Sequence, residues 1–457
     1  MSSSNPTQKN EATSPSPRKR GRPRGTKQNT AQSATVEEFV VAATVETLPE
    51  FKSPKKKKAK KVQKKKSTDD SSDDEEEKAA ASDASKTSAK KASPAKKKTK
   101  AKKAADHQRI TDKDDLKRLW SDEAAKTNGS YTFKIASWNV AGLRAVVKKS
   151  PTALSDLCEK YDLDMLCLQE TKLQEMHLED PKLKIKGLME DHGYDEYWSC
   201  STAKKGYSGT AVFVRRRSNG KNGDSAKKGT QTKIGSFFSN GKANNETKKK
   251  TEVKEKDLPV SYETLVPTEV TYELGKEIDN EGRTIILDFP WATIVNVYVP
   301  NSGQKLERLD FRTNEWDKFF VEYMQKKQKD RSLPVMWLGD LNIAHRAYDI
   351  WNDGAKHLDK QAGVTPQERE SFTEQLEIGF FDAFRKLHPD AKGHYSYWSQ
   401  RAGNREPNKG LRLDYFVCSP EFFSEDSQVI ARDSYMIDDI IGSDHCPVVL
   451  ELEIKPK

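Results

Sequence analysis

Hydrophobic and polar positions change their pattern at about residue 130. From Tyr131 onward, short runs rich in apolar and β-branched residues alternate with helical stretches, which is typical of a layered α/β domain. Eight runs predict strands, at 132–139, 164–170, 209–216, 284–289, 293–300, 335–342, 412–419 and 447–454. A capping Thr365, then Pro366 and acidic residues, predicts a helix start between the last strands.

The chain before this point lacks the pattern. Residues 1–105 are dominated by Lys, Ser, Ala, Thr and Pro, and Phe39 and Phe51 are their only aromatic residues. So little apolar surface cannot offset the entropy of ordering a chain. We predict a disordered basic tail over residues 1–129 and one folded domain over 130–457, with a disordered basic insertion at 217–261.

The charge of the chain is unevenly distributed. Residues 1–105 hold 27 Lys and Arg against 13 Asp and Glu, which leaves 53 against 57 for residues 106–457 of the whole-chain 80 and 70. Flexible basic segments attract phosphates without sequence preference, so nucleic acid is the expected partner. The folded part is acidic, and its remaining Lys and Arg must gather on one face if it binds DNA.

Two short basic segments of the tail suggest where the protein acts. The segment Arg20-Gly21-Arg22-Pro23-Arg24-Gly25 resembles an AT-hook, in which Arg22 and Arg24 would enter the narrow minor groove of A·T-rich DNA. The alternative is a plain basic patch. Lysines at 55–58, 60 and 61 resemble a nuclear import signal, although lysine runs are also ordinary in solvated tails. The combination predicts a nuclear protein and leaves a mitochondrial fraction open.

Cysteine usage and hydropathy exclude other classes of protein. The five cysteines have no paired spacing, which predicts neither a disulfide framework nor a Cys-type zinc site. No apolar run reaches transmembrane length and the N-terminus has no signal-peptide core, so we expect no membrane association.

Polar residues recur where the predicted strands end or begin. These positions carry carboxylate, amide, imidazole or phenol groups: Asn139, Glu170, Tyr298, Asp340, Asn342, Asp444 and His445. One such residue alone is usually a turn former or helix cap. Together, the carboxylates and amides predict a hard oxygen-ligand site suited to Mg²⁺, with Mn²⁺ as a substitute. The histidine and the tyrosine are suited to stabilising charge on phosphate oxygens.

Nine ordered segments resemble the exonuclease III family, and more closely its eukaryotic branch, the major apurinic/apyrimidinic (AP) endonucleases. They are SWNVAGLRA (137–145), LCLQETK (166–172), GYSGTAVF (206–213), EGR (281–283), YVPNSG (298–303), GDLNIAH (339–345), AGVTPQER (362–369), RLDYFV (412–417) and GSDHCPVV (442–449). The resemblance implies a four-layer α/β sandwich of two packed β-sheets with outer helices.

The same resemblance implies a metal site and a water-activating group. Glu170 would be the principal ligand, Asp444 would occupy the second metal position, and Asp340 would orient and deprotonate the attacking water. Asp340 itself, Asn139, Asn342 and His445 complete the implied metal set, and the two asparagines would also hold the scissile phosphate and the neighbouring carboxylates. The residues leave open whether one or two metals act, and whether Asp340 or His445 is the general base; we favour Asp340.

The phosphate is expected to lie against a second set of groups. Tyr298 would contact it, and His445, oriented by Asp414, would donate to one of its oxygens. Asp414 could instead be a buried partner of Arg412. Tyr397 and Trp398 would line the pocket for the flipped-out abasic sugar, or else be core aromatics.

Several positions depart from the family pattern. Ala141 stands where the family usually has Asp or Asn, which predicts weaker Mg²⁺ binding. Leu411 stands where the family usually has Trp, which predicts a differently lined sugar pocket. Gln304 replaces an arginine that reaches into DNA in vertebrate relatives. Ala136 replaces a cysteine tied to transcription-factor reduction, so that second activity is not predicted.

The insertion contains a candidate partner motif. Gln231, Ile234, Phe237 and Phe238 match the sliding-clamp (PCNA) binding box, and one helical turn would place the three apolar side chains on one side. The alternative is that the aromatics pack back onto the domain.

The resemblance, together with the basic tail, implies a monomeric, Mg²⁺-dependent base-excision-repair endonuclease. It would cut the phosphodiester 5′ to an abasic site in duplex DNA, leaving a 3′-OH and a 5′-deoxyribose phosphate, with 3′-phosphodiesterase or 3′→5′ exonuclease side activity. Two alternatives remain: another phosphoesterase of the same fold, such as an inositol-polyphosphate phosphatase, or a chromatin-binding protein whose catalytic domain has decayed.

Overall fold

The computed structural model describes residues 109–217, 258–272, 274–275 and 278–457. The strands within these ranges are β1 (Tyr131–Asn139), β2 (Met165–Gln169), β3 (Tyr194–Ser199), β4 (Thr210–Arg215), β5 (Glu269–Tyr272), β6 (Thr284–Asp288), β7 (Thr293–Val297), β8 (Val335–Asp340), β9 (Phe381–Asp382), β10 (Asp414–Cys418), β11 (Val429–Met436) and β12 (Val448–Ile454). The helices are α1 (Asp122–Asn128), α2 (Leu143–Lys149), α3 (Ala153–Tyr161), α4 (Glu175–Glu179), α5 (Asp317–Arg331), α6 (Pro366–Glu377) and α7 (Ala383–Leu387).

The strands form two six-stranded mixed sheets. The first has the order β11-β12-β1-β2-β4-β3 and the second β5-β6-β7-β8-β10-β9. The pairs β1–β2 and β7–β8 are parallel, and the other pairs are antiparallel. Each predicted run contains one strand, whereas β3, β5, β9 and β11 were not predicted. All four lie at sheet edges, where polar residues interrupt the apolar pattern.

The sheets pack face to face, and helices cover their outer sides. Alternation along β2 shows the arrangement: Met165 and Cys167 enter the core between the sheets, while Leu166 and Leu168 join a second cluster with residues of α2 and α3. A third cluster lies between the outer side of the second sheet and helices α5 and α6. The four-layer α/β sandwich predicted from the sequence is confirmed.

The folded domain begins earlier than predicted. Residues 109–129, assigned to the tail from composition, include α1, which has a Ser121 cap at its start and a left-handed Gly129 at its end. The Trp120 indole donates to Thr132 Oγ1 at 3.1 Å, and Ile110 is buried. Composition missed this segment because it is held by a few specific contacts and carries no apolar period.

The boundaries of the insertion also shift inward. Arg217 pairs with the buried Asp164, and Val260 and Leu265 belong to the core between the sheets. The predicted insertion at 217–261 therefore overlaps the domain at both ends. Residues 218–257 lie outside the described ranges.

The predicted helix start at Thr365 is confirmed. Thr365 Oγ1 accepts from the amide of Glu368 at 3.2 Å, and the Glu368 carboxylate accepts from the amide of Thr365 at 3.1 Å. Pro366 occupies the first turn of α6. Within the described ranges, no helix has both the length and the apolar character needed to span a bilayer.

Candidate active site

The polar strand-end residues meet at one edge of the sandwich. Asn139 ends β1 and Glu170 follows the parallel strand β2, so both reach the same edge. In the second sheet Asp340 ends β8 and pairs in register with Asp414 at the start of β10. His445 lies just before β12, which runs antiparallel to β1 and so begins at that edge.

Close contact between the two sheets below the site restricts which residues fit there. The Gln169 side chain donates to Ser137 Oγ at 3.0 Å and across the sheets to Asn296 Oδ1 at 2.7 Å. At Gly339, φ is +138° and a Cβ atom would stand 1.9 Å from the Val297 carbonyl oxygen. Only glycine fits such an approach, which lets β8 bring Asp340 to the edge.

Glu170 and Asp340 share one amide. The Asn139 Nδ2 donates to Asp340 Oδ2 at 2.8 Å and to Glu170 Oε1 at 3.3 Å. The Tyr298 hydroxyl also donates to Glu170 Oε1, at 2.6 Å, and Lys172 Nζ lies 2.9 Å from Glu170 Oε2. Burial alone would raise the pKa of Glu170, but Lys172 and Tyr298 lower it below its usual range. Glu170 is therefore ionised at neutral pH.

His445 lies between two carboxylates. Its Nδ1 is 2.8 Å from Asp414 Oδ2, and its Nε2 is 3.9 Å from Asp340 Oδ2. Burial alone would lower the pKa of His445, but Asp414 and Asp340 outweigh it and raise the pKa to about 10. The ring is then a cation at neutral pH, with Asp414 fixing its orientation.

Burial acts on Asp340 in the opposite direction. It raises the pKa of Asp340 to about 7, with Asp414 contributing in the same direction and His445 opposing it. Asp340 Oδ1 accepts from the Asn342 amide at 2.8 Å. A carboxylate of this kind can accept a proton near neutral pH.

Asn342 and Asp444 complete the cluster. The Asn342 side chain donates to the Val299 carbonyl at 2.9 Å and accepts from Asn301 at 2.7 Å, so its amide has a fixed orientation. Asp444 lines the cleft with its Oδ1 3.3 Å from Ser443 Oγ, and that hydroxyl donates to the Asn139 carbonyl at 2.7 Å.

The donor set fits a hard divalent cation. Among the described residues, ligand atoms of Asp340, Asp414 and His445 lie within 4.8 Å of one another and could hold a metal ion. His445 Nδ1 is already bound to Asp414 Oδ2, and the carboxylate oxygens, with Glu170 beside them, are the harder donors. Asp414 Oδ1 is buried and has no hydrogen-bond partner, which leaves an acceptor unsatisfied in this cluster. Oxygen donors of this kind suit Mg²⁺.

The cluster opens into a cleft of about 1060 Å³, and the two predicted pocket aromatics differ in position. Tyr397 lines the cleft and its ring centroid is 5.0 Å from that of His445. Trp398 is 3% exposed and donates to Asn408 Oδ1 at 3.0 Å, so it belongs to the core. Its predicted role in lining the pocket is wrong, because adjacent residues of an extended segment point in opposite directions. Leu411 does line the cleft.

Sequence reasoning missed an arginine network behind Tyr298. The buried Arg283 donates to the Tyr298 carbonyl and to the Tyr207 hydroxyl, both at 2.8 Å. Arg308 donates to the same hydroxyl at 2.8 Å and pairs with Glu281. The signal was present, since Tyr207 and Arg283 lie within the GYSG and EGR segments, but no role had been assigned to them.

Ala141 and Lys172 occupy the rim beside Glu170. Ala141 has a left-handed backbone (φ 49°), and Lys172 Nζ donates to its carbonyl at 3.3 Å. Lys172 was also not singled out from the sequence. The residues predicted for the AT-hook and the clamp box lie outside the described ranges: Arg22, Arg24, Gln231, Ile234, Phe237 and Phe238.

Comparison with known proteins agrees with this geometry. The model of the Endonuclease/Exonuclease/phosphatase family matches residues 136–240 and 266–445. An exodeoxyribonuclease of Bacillus subtilis (strain 168) is 37% identical over 323 residues, which cover 70% of this chain and 100% of the relative. The DNA repair nuclease APEX1 of Danio rerio is 37% identical over 332 residues, 72% of this chain and 85% of the relative.

A solved structure agrees as well. The crystal structure of the AP endonuclease from Leishmania major superposes with a TM-score of 0.55 at 29% identity and covers 74% of this chain and 92% of that chain. The resemblance to the exonuclease III family is confirmed. The chain therefore belongs to the Endonuclease/Exonuclease/phosphatase family, as a DNA-repair nuclease of the exonuclease III and AP endonuclease type.

Proposed function

We propose that this chain hydrolyses the phosphodiester bond 5′ to an abasic site in duplex DNA, using Mg²⁺. The observation that carries the proposal is one cleft-facing cluster in which Asp340 lies 3.9 Å from His445, and the Asn139 amide bridges Asp340 to Glu170. A proton acceptor, a cation and an anionic oxygen site thus lie side by side, which is what phosphodiester hydrolysis needs.

In the proposed reaction, an oxygen–phosphorus bond forms between water and the phosphate while the bond from phosphorus to the upstream O3′ breaks. Asp340 takes the proton of the attacking water, since its pKa of about 7 makes it a competent acceptor. The leaving O3′ takes a proton from solvent. The products are a 3′-OH and a 5′-deoxyribose phosphate.

His445 and Tyr298 would stabilise the charge that develops on the phosphate. The imidazolium is held by Asp414 and needs no reorganisation during the reaction. Burial, followed by Glu170 and Asp340, raises the pKa of Tyr298 far above its usual value, so its hydroxyl remains a hydrogen-bond donor. Glu170 and Asp444 would hold Mg²⁺, which when bound polarises the phosphate oxygens.

The abasic sugar would enter the cleft beside Tyr397 and Leu411. A nucleotide without a base costs little to unstack, which favours its extrusion over that of an intact nucleotide. Both residues line the cleft that contains Asp340 and His445. The same cleft would accept a blocked 3′-terminus, so we also propose 3′-phosphodiesterase and 3′→5′ exonuclease side activities.

Nicking of a duplex that carries one tetrahydrofuran lesion tests the proposal. We expect Mg²⁺-dependent cleavage immediately 5′ to the lesion, loss of cleavage in EDTA, recovery with Mn²⁺, and no turnover of inositol polyphosphates. Asp340→Ala should abolish nicking, whereas Asp330→Ala, on the exposed end of α5, should not. Equal hydrolysis of inositol phosphates, or nicking that survives Asp340→Ala, would contradict the proposal.

We also propose a nuclear, monomeric protein that binds DNA through the segment at 20–25 and a sliding clamp through the box at 231–238, on the basis of the sequence motifs alone. Replacing Phe237 and Phe238 with Ala should abolish pull-down by the clamp and leave nicking of short oligonucleotides unchanged. Unchanged pull-down would reject the box.

A further inference from the structure

The segment that leads into the catalytic domain reaches the active-site cleft at Arg109. This strap (residues 109–116) forms neither helix nor strand, and hydrogen bonds fix its first residues. The Ile110 amide donates to the Trp351 carbonyl at 2.7 Å, and the Tyr395 hydroxyl donates to the Ile110 carbonyl at 2.8 Å. Ile110 is only 8% exposed. The position of Arg109, one residue earlier, is therefore set by the fold.

Further contacts hold the rest of the strap. Asn408 Nδ2 donates to the Thr111 carbonyl at 3.0 Å, and the Asp114 amide donates to the Lys392 carbonyl at 3.1 Å. Asp112 packs so closely on Gly393 that a Cβ there would lie 2.2 Å from the Asp112 carbonyl oxygen. Such contacts give the strap a defined path across the domain.

Arg109 lines the same cleft as Glu170, Asp340 and His445. The acidic residues that line it all belong to the catalytic cluster: Glu170, Asp340 and Asp444. Apart from Lys172 beside Glu170, the cationic side chains and the one further histidine that line the cleft are Arg109, His357, Lys360 and Lys409. The cleft thus has an acidic catalytic end and a second, basic part, which we call the basic wing.

A series of backbone pairings leads from the catalytic histidine to the strap. It runs from His445 to Tyr397, from Tyr397 to Leu411, from Leu411 to Ile350, and from Trp351 to Ile110. At ~4.8 Å per pairing, these four pairings place the strap within roughly 20 Å of His445. At a rise of about 3.4 Å per nucleotide, this distance corresponds to about five nucleotides along a duplex.

The cations of the basic wing are available to a ligand. In the part of the chain that the structure describes, Arg109, Lys360 and Lys409 have no carboxylate at ion-pair distance. The Lys409 ammonium lies 5.5 Å from the ring centroid of Trp351, and both residues face the cleft. Unpaired cations beside a half-buried indole are the combination that binds a phosphate backbone with a base stacked next to it.

We infer that Arg109, Lys409 and Trp351 form a second DNA-binding site in the cleft. It would hold backbone phosphates several nucleotides from the cleaved bond, with the Trp351 ring available for a base or sugar. This inference rests on the proposed function, because it assumes that the strand in the cleft is DNA positioned for hydrolysis at Asp340. The site would position the substrate and take no part in the chemical step.

Equilibrium binding of the full-length chain to the lesion duplex in EDTA tests the inference. Arg109→Ala and Lys409→Ala should each raise Kd and reduce the slope of log K against log salt by about 1, and the double variant by about 2. In nicking assays KM should rise while kcat stays unchanged. Lys318→Ala, an exposed lysine of α5 outside the cleft, is the matched control and should leave Kd and the slope unchanged.

Shortened duplexes show whether the contact is local. Trimming the DNA on one side of the lesion should erase the effect of Arg109→Ala, while trimming the other side should preserve it. Wild-type Kd and salt slope in the double variant, or an equal effect of Lys318→Ala, would overturn the inference. If wild-type protein fails to nick the lesion while Arg109→Ala still weakens binding, the proposed function fails and the second site stands.

Discussion

The two parts of the cleft are built in different ways. At the catalytic end, Asp340, Asp414 and His445 are almost fully buried, and their hydrogen bonds fix them to two sheets. In the basic wing, Arg109, Lys360 and Lys409 are carried by loops and the strap, and their charges have no ion-pair partner within the described ranges. Rigid strand ends suit a chemical step, which needs fixed distances, whereas loop-borne cations suit a backbone that is held without sequence preference.

The difference predicts that changes at the catalytic end act on kcat. His445→Ala removes a cation aimed at the phosphate and should reduce kcat by about 10²–10³-fold. Asp414→Asn keeps the ring and removes the carboxylate that orients it, so its loss should be smaller, about 10–100-fold. Single-turnover nicking of a lesion duplex measures both.

His192→Ala, an exposed histidine outside the cleft, is the control for these variants and should retain wild-type kcat. A His445→Ala protein that binds DNA more weakly but cleaves it at the wild-type rate would remove the distinction between the two parts.

A buried network of ion pairs anchors the loop that carries Trp351. Asp349 accepts from Arg412 at 2.8 Å and from Arg385 at 2.6 Å, and all of its side chain is buried. Asp349→Asn leaves two guanidinium groups near an uncharged partner and should lower the free energy of unfolding by about 3–5 kcal/mol. Urea denaturation measures this loss of stability. The control is Asp330→Asn at an exposed position of α5, which should change the free energy of unfolding little.

The same carboxylate gives a pH dependence with a definite sign. Burial alone would raise the pKa of Asp349, but Arg412 and Arg385 outweigh it and hold the pKa far below its usual range. Its contribution to stability is therefore complete above the unfolded pKa of about 3.9 and is lost as pH falls toward the folded value. Wild-type stability should decline below about pH 4 more steeply than that of Asp349→Asn. Equal slopes would contradict this role.

Metal affinity should respond to Lys172, the cation closest to the proposed ligand Glu170. Lys172→Ala removes ~1 kcal/mol of repulsion toward a divalent ion at the protein surface and should tighten Mn²⁺ binding about fivefold. Ala141→Asp adds an anion at the same rim, on a left-handed backbone that Asp tolerates better than Ala, and should act in the same direction. Calorimetric titration of the DNA-free protein measures both, and Lys172→Arg should remain near wild type.

The smallest change is expected at the wall of the sugar pocket. Tyr397→Ala removes an aromatic face beside His445 and should raise KM for the lesion duplex about fivefold, since such contacts contribute ~1 kcal/mol. Tyr397→Phe should have little effect. Tyr272→Ala, an exposed tyrosine of edge strand β5, should leave KM unchanged.

The sequence predicted the catalytic end much better than the basic wing. Short runs of apolar and β-branched residues determine the strands, and the parallel pairs β1–β2 and β7–β8 then bring Asn139, Glu170 and Asp340 to one edge. Arg109 carried no such signal, because its position depends on a hydrogen bond between Ile110 and Trp351, which are far apart in the chain. The pocket role predicted for Trp398 was wrong for a related reason. Two adjacent aromatic residues in a sequence do not show which side chain enters the core and which one lines the cleft.

Cleavage of a duplex with a natural abasic site in heavy-oxygen water tests the central claim most directly. If Asp340 activates water for attack on phosphorus, the label should appear in the 5′-phosphate of the lesion-bearing product and not in the new 3′-OH, with cleavage lost in Asp340→Ala. An unlabelled product that carries an unsaturated 3′-sugar end would show elimination in place of hydrolysis and contradict the account.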